Sequence, residues 1–292
     1  MNILKPAPIP VVRLALPLAA AALLAACTTP PLGLADAKRD YYPSANQDSR
    51  VQFLVIHYTE ETWADSLRTL TGAAASDRPV SAHYLVRDEP AEIYQLVDEN
   101  RRAWQAGVSD WAGTQSLNSA SIGIEIVNPG DKEANGERHG HYAPYKAAQV
   151  DAVVRLVKDI VARHRIKPTR IVGHEDIAPD RRRDPGPQFP WHRLFDAGVI
   201  PWPDAAQVAA RQSVYAQALP DITWAQQKLA RYGYLIPVTG TLDEHTRNVI
   251  SAFQMKYRPA NFDGALDAET AALIDVATTQ GGLLMVDGKL PD

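Results

Sequence analysis

Two histidines, an aspartate and a glutamate stand out for the company they keep. His57 ends the apolar run "RVQFLVIHYT", and His174 follows the apolar stretch of "TRIVGHE". Asp184 lies in "DIAPDRRRDPGPQFPW", where prolines stiffen both sides. Two imidazoles and a carboxylate at strand ends or on braced loops suit a catalytic zinc site, which takes three protein ligands and leaves a fourth position to water. Glu125 sits in "SIGIEIVNPG", a strand otherwise built of Ile, Val and Gly, where a carboxylate is costly unless it is partnered or faces a cleft. There it could serve as general base for the attack of water. Arg182, two residues before Asp184, could reach the same side of an extended segment and steady an oxyanion. Each position also has an ordinary reading. These are a structural strand-end histidine, an Asp-Pro turn, a sheet glutamate paired with an arginine, and a solvated loop cation at Arg182 as at Arg181 and Arg183.

The elements that must position these groups are legible as periodicities. "RVQFLVIHYT" reads as a buried central strand, and "SAHYLV" and "EIYQLV" around "RDEPA" as a hairpin. In "SIGIEIVNPG", Ile122, Ile124 and Ile126 fall on one face and Gly123, Glu125 and Val127 on the other. Val150, Val153, Val154, Val157, Ile160 and Val161 recur at helical spacing, and "TRIVGHE" reads as a short strand ending at His174. A mixed β-sheet flanked by helices is therefore expected to about Pro203, an α/β fold. "DAAQVAARQSVYAQALP" reads as a helical connector to a small all-α unit of three helices. Its first helix places Ile222, Ala225, Leu229 and Tyr232 on one face and stops at Gly233. "GTLDEHT" and "GALDAET" echo one another, each offering a turn Gly and an Asp N-cap, at Asp243 and Asp267.

Composition is that of an ordinary globular chain: 292 residues, 46% hydrophobic, 22% charged, net charge −4. The balance gives no basic excess for nucleic acid, so no nucleic-acid partner is expected. No apolar run beyond the N-terminus approaches the roughly 18 residues of a membrane span. Lys5 and Arg13 precede "LALPLAAAALLAA", an export signal over residues 1–26, and Cys27 follows as the sole cysteine. "LAAC" resembles the lipobox of bacterial lipoproteins, with Cys27 the lipidated residue; an ordinary secretory signal is the alternative. Thr28 in second place points to the outer membrane, facing the periplasm. With no second cysteine, core packing or a metal must stabilise the exported protein.

In order, "FLVIHYT", "VSAHYLV", "RAWQAGVS", "SIGIEIVNPG" and "VGHEDIAPDRRRDPGPQFPW" resemble the zinc-dependent N-acetylmuramoyl-L-alanine amidase family, whose fold is shared with peptidoglycan recognition proteins. The resemblance spans roughly residues 50–200. Residues 221–277 resemble a peptidoglycan-binding module. Carried over by motif, the resemblance implies zinc, one per chain, on His57, His174 and Asp184, and an acid/base at Glu125. It implies hydrolysis of the amide between N-acetylmuramic acid and L-alanine in peptidoglycan or muropeptides. His83 and Trp104 are candidates for lining the substrate groove, with a histidine that only supports the site and a core tryptophan as the alternative readings. Implied boundaries are a signal at 1–26, a tether at 27–48, the amidase domain at 49–203, a helical linker at 204–220, the wall-binding module at 221–278 and a tail at 279–292. A monomer anchored to the outer membrane is expected. Two departures stand out. Arg182 replaces the family's usual Lys and, staying charged, suits oxyanion stabilisation better than proton donation. The common "AWHAG" reads "AWQAG", with Gln105. The competing readings are a non-catalytic peptidoglycan-recognition lipoprotein and a zinc peptidase. The chain contains no H-E-x-x-H stretch of the common zinc peptidases.

Overall fold

A computed structural model describes residues 45–46, 48–74, 77–131 and 141–291. The export signal, Cys27 and the tether as far as residue 44 lie outside the described residues. The chain runs through β1 (Phe53–Tyr58), α1 (Trp63–Leu70), β2 (Tyr84–Val86), β3 (Ile93–Gln95), β4 (Asp110–Trp111), β5 (Thr114–Gln115), β6 (Ser121–Ile126), α2 (Ala147–His164), β7 (Ile171–Gly173) and the one-turn α3 (His174–Ile177). There follow α4 (Trp191–Asp196), β8 (Trp202–Pro203), α5 (Ala205–Tyr215), α6 (Ile222–Tyr232), α7 (Glu244–Tyr257), α8 (Ala268–Ala277) and β9 (Leu283–Leu284).

The main sheet has the order β3-β2-β6-β1-β7. β2, β6, β1 and β7 are parallel, and β3 returns antiparallel from β2 as the expected hairpin. Parallel strands need cover on both faces, which is why β1 reads as an unbroken apolar run. On one face Leu54, Ile56, Ile122, Ile124 and Ile126 pack against Val153, Leu156, Val157 and Ile160 of α2. On the other, Phe53, Val55 and Val172 join Leu229, Val249, Ile250, Phe253 and Ile274 of α6, α7 and α8. The C-terminal helices therefore share a core with the sheet, and the described residues from 48 onward form one compact unit. Even the tail returns: Leu283 and Leu284 pair with Pro203 and Trp202.

The internal echo of the C-terminal helices has a physical basis. Asp243 and Asp267 cap α7 and α8, accepting from the Thr246 and Thr270 amides at 2.8 Å each. In each copy a buried glutamine from the preceding helix clamps the cap. Gln226 donates to Thr246 Oγ1 at 2.9 Å and accepts from Gly240 N, while Gln254 donates to Thr270 Oγ1 at 3.0 Å and accepts from Gly264 N. Both glycines adopt positive φ, +72° and +74°, and a Cβ at 264 would stand 2.4 Å from the Arg247 carbonyl oxygen.

Lys256 of α7 ties these helices to the segment that carries His174. Buried at 6% exposure, it donates to the Ile171 carbonyl at 3.2 Å, lies 3.9 Å from Asp176 and stands over the Trp191 ring at 4.4 Å. Tyr234 donates to the other Asp176 oxygen at 2.5 Å. Replacing Lys256 by Met leaves the buried Asp176 carboxylate with neutral donors and no cation, and a loss of about 3 kcal/mol in unfolding free energy is expected by denaturant titration.

Candidate metal centre

Sheet register brings the first two groups together. His57 and Glu125 are partners across the β1–β6 ladder, on the face opposite α2 and at the carboxyl ends of parallel strands, where open α/β sheets bind their ligands. β7 pairs with β1 as far as Gly173 opposite Ile56. His174 is thus delivered beside His57, although it opens α3 instead of ending the strand. The following loop folds back on itself: the Glu175 amide donates to the Asp184 carbonyl at 2.9 Å. From inside, Glu175 Oε2 accepts from Gly186 N at 2.8 Å, and Tyr145 donates to the Pro185 carbonyl at 2.7 Å. Burial pushes the Glu175 carboxyl well above its ordinary value.

Three donor atoms converge. His57 Nδ1 lies 2.8 Å from Asp184 Oδ2 and 2.9 Å from His174 Nδ1, and His174 Nδ1 lies 3.1 Å from the same Oδ2. All three side chains are buried, and together they form a group that could hold a metal ion. The far ring nitrogens are already engaged, His57 Nε2 with Gln105 Oε1 at 2.5 Å and His174 Nε2 with the Ala106 carbonyl at 3.2 Å. A carbonyl oxygen only accepts, so each Nε2 carries a proton and a neutral ring turns its Nδ1 lone pair inward. Two inward lone pairs and a carboxylate oxygen repel one another unless a metal cation, or a proton on one ring, lies between them. The triangle is slightly tighter than the roughly 3.3 Å edge of a tetrahedral site with bonds of about 2.0–2.1 Å. The donor chemistry fits a divalent metal.

The same groups shift one another's titration. Burial opposes ionisation of Asp184, but His174 and His57 outweigh it and hold the carboxyl far below its usual range. Burial lowers His174 to about 4, against the pull of Asp184. For His57 burial again acts downward, yet Glu125 and Asp184 hold it above its ordinary value. Burial pushes Glu125 up to about 7, only partly countered by His57 and Arg182. Its Oε2 is sealed from solvent, with no hydrogen-bond partner among the described residues.

A cleft opens beside these groups, lined in part by Tyr58, Glu61, Trp104, Glu125 and Arg182. Trp104 is 48% exposed at its rim. Of the three arginines in a row, Arg182 lines this cleft. The other two stay in reach of solvent, Arg181 exposed and Arg183 partly so, but both are tied back to the protein. Arg181 donates to the Ala106 and Val108 carbonyls, and Arg183 to Pro179 O and Asn248 Oδ1. The structure does not bring His83 to the groove. It is fully buried, accepting from Gly123 N at 3.1 Å and donating to the Arg101 carbonyl at 3.1 Å, so both ring nitrogens stitch a loop to β6. Sequence reasoning left Gln105 without a role. The signal that could have found it is Gly123, which leaves room in an isoleucine-rich strand.

Fold and site together define an α/β protein with a buried His-His-Asp donor set at the ends of parallel strands and a carboxylate beside it. The chain belongs to the N-acetylmuramoyl-L-alanine amidase family, whose profile matches residues 47–187, and residues 219–274 match a peptidoglycan binding domain. It is 43% identical over 240 residues to N-acetylmuramoyl-L-alanine amidase AmiD of Escherichia coli, covering 80% of this chain and 84% of that protein. The structure of AmiD in complex with the substrate anhydro-N-acetylmuramic acid-L-Ala-D-gamma-Glu-L-Lys superposes with a TM-score of 0.71 at 40% identity, over 82% of this chain and 92% of that one. AmpDH3 of Pseudomonas aeruginosa gives a TM-score of 0.74 at 36% identity, over 85% and 98%. The 1,6-anhydro-N-acetylmuramyl-L-alanine amidase AmpD of Enterobacter cloacae is 32% identical, covering 55% of this chain and 89% of that protein.

Proposed function

We propose that this chain is a zinc-dependent N-acetylmuramoyl-L-alanine amidase, hydrolysing the amide between the lactyl group of N-acetylmuramic acid and L-alanine in peptidoglycan or its fragments. The observation that carries the reading is the convergence of His57, His174 and Asp184 within 3.1 Å, beside a carboxylate oxygen with no partner among the described residues. His57, His174 and Asp184 would hold one zinc ion. Bound there, zinc supplies Lewis-acid polarisation of the scissile carbonyl and lowers the pKa of water to about 7.

The chain's own residues do the rest. Glu125, buried on one oxygen and raised to about 7, is poised to take a proton from the attacking water and return it to the leaving amine nitrogen. Arg182 at the cleft edge offers guanidinium donors to the oxyanion that develops as the carbonyl becomes tetrahedral. Trp104, half-exposed on the cleft, offers apolar surface against which a sugar or peptide stem can lie. The family position filled here by Arg182 is usually Lys, and a permanently charged guanidinium leaves Glu125 as the sole proton carrier of the pair.

The organisation we propose is a signal over 1–26, lipidation at Cys27, a tether over 27–48, the catalytic part over 49–203, a helical connector over 204–220 and a wall-binding part over 221–278. Such a protein is a monomer on the outer membrane, facing the periplasm. The profile match over 219–274 supports the wall-binding part, and the chemistry of "LAAC" supports the anchor. A non-catalytic recognition protein would be favoured by a broken donor set, whereas all three donors are present.

The test is digestion of purified muropeptides with and without chelator, then zinc add-back, with products read by mass spectrometry. Release of a peptide beginning with L-alanine from an intact muramic acid, lost on chelation and restored by zinc, is expected. Cleavage between amino acids of the stem would make the protein a peptidase instead, and turnover indifferent to chelation would remove the metal.

A further inference from the structure

Resting on the zinc reading above, we propose that Gln105 and Ser121 form a directed hydrogen-bond relay that fixes the His57 tautomer, making Gln105 a positioning residue for the metal site. The direction of the relay follows from its far end. Ser121 Oγ lies 2.7 Å from the Leu117 carbonyl oxygen, which only accepts, so the serine proton points there. Ser121 Oγ must then accept from Gln105, whose Nε2 stands 2.8 Å away. That orients the amide, leaving Oε1 toward His57 Nε2 at 2.5 Å. Oε1 accepts, so His57 carries its proton on Nε2 and its lone pair on Nδ1, the atom facing Asp184 and His174. A flipped amide would set an NH₂ group against the ring N–H and leave Ser121 without a donor.

The surroundings are built around this amide. A Cβ on residue 123 would stand 2.6 Å from Gln105 Cγ, so only glycine lets the side chain lie over β6. The loop backbone is pinned by Asn118 Oδ1, which accepts from the amides of Gln105 at 3.0 Å and Ala106 at 2.7 Å. Ala106 in turn presents its carbonyl to His174 Nε2 at 3.2 Å. One dipeptide thus orients both imidazoles, one through a side chain and the other through the backbone. Outer groups of this kind set ligand orientation and metal affinity.

The experiment compares full-length wild type with Gln105→Leu, Gln105→Glu and Ser121→Ala. Zinc affinity is read by competition with a chromophoric chelator. The His57 tautomer is read by histidine-selective ¹⁵N NMR on zinc-free protein at alkaline pH, where the ring is neutral. Gln105→Leu should weaken zinc binding by about 10–100-fold and give mixed His57 tautomers. Gln105→Glu, which still accepts from Nε2–H, should keep the tautomer and bind zinc within a few-fold of wild type. Ser121→Ala, a smaller change should the Leu variant fail to fold, should loosen the amide and weaken zinc binding several-fold. Wild-type affinity and an unmixed Nε2–H tautomer in Gln105→Leu, or in Ser121→Ala if the former does not fold, overturn the relay. None of these readouts needs a muropeptide. A wild-type protein that binds zinc yet cleaves nothing would defeat the amidase reading and leave the relay standing.

Discussion

Glu125→Gln should lower turnover of a muropeptide by about 10²–10⁴-fold, while making the zinc-free protein more stable at neutral pH. Both effects come from the same placement. The strand ladder sets Glu125 beside His57, where burial pushes its carboxyl up to about 7. A base works only when ionised, so with Glu125 as the base wild-type activity should rise with pH through this group's titration. A bound cation pulls that limb to lower pH. The glutamine variant should lose the acid limb along with the rate.

The stability effect has the opposite sign. A raised carboxyl binds its proton more tightly in the folded state than in the unfolded chain, so folded stability falls as pH climbs from about 4.5 to about 7. The full cost, about 3 kcal/mol, is present above that window and absent below it. Glutamine has no charge to desolvate. Denaturant titration of zinc-free protein should therefore show the variant ahead of wild type at pH 8 and level with it at pH 4. Full turnover in Glu125→Gln would mean the base lies elsewhere.

Asp184→Ala should abolish both zinc retention and activity. Asp184 is buried against the two imidazoles, and its carboxyl is held far below the usual range by His174 and His57 in spite of burial. Its removal takes away the only anionic member of the donor triangle and leaves two Nδ1 atoms 2.9 Å apart. The effect should exceed the 10–100-fold or so that outer groups cost. Thermal melts with and without zinc give a direct reading. At a hundredfold excess over Kd, zinc should stabilise wild type by about 2.7 kcal/mol, and Asp184→Ala not at all. An undiminished zinc shift in the variant would show that the metal sits on other ligands.

The order of apolar runs, the helical spacing of α2 and the paired Gly-x-x-Asp caps are legible in the sequence by itself, because each is a local property of the chain. Asp243 and Asp267 cap their helices as read. The alternation in "SIGIEIVNPG" does place the isoleucines against α2 and turns Glu125 the other way. The candidate ligands could also be named, since strand ends and a proline-bound loop are visible in one dimension. Their meeting could not be read: His57 is separated from His174 by 117 positions and from Asp184 by 127.

Tertiary structure alone decided which polar side chains have partners. It buried His83 between two backbone groups, engaged Arg181 and Arg183, and left Arg182 on the cleft. It gave Gln105 a histidine to orient, and it laid the C-terminal helices over the second face of the sheet, joined by Lys256 and Tyr234 to the segment bearing His174. The reason is physical. Periodicity records which face of an element is apolar, whereas a hydrogen bond depends on strand register and on loops closing to within a fraction of an ångström. No single segment of the chain carries that information by itself.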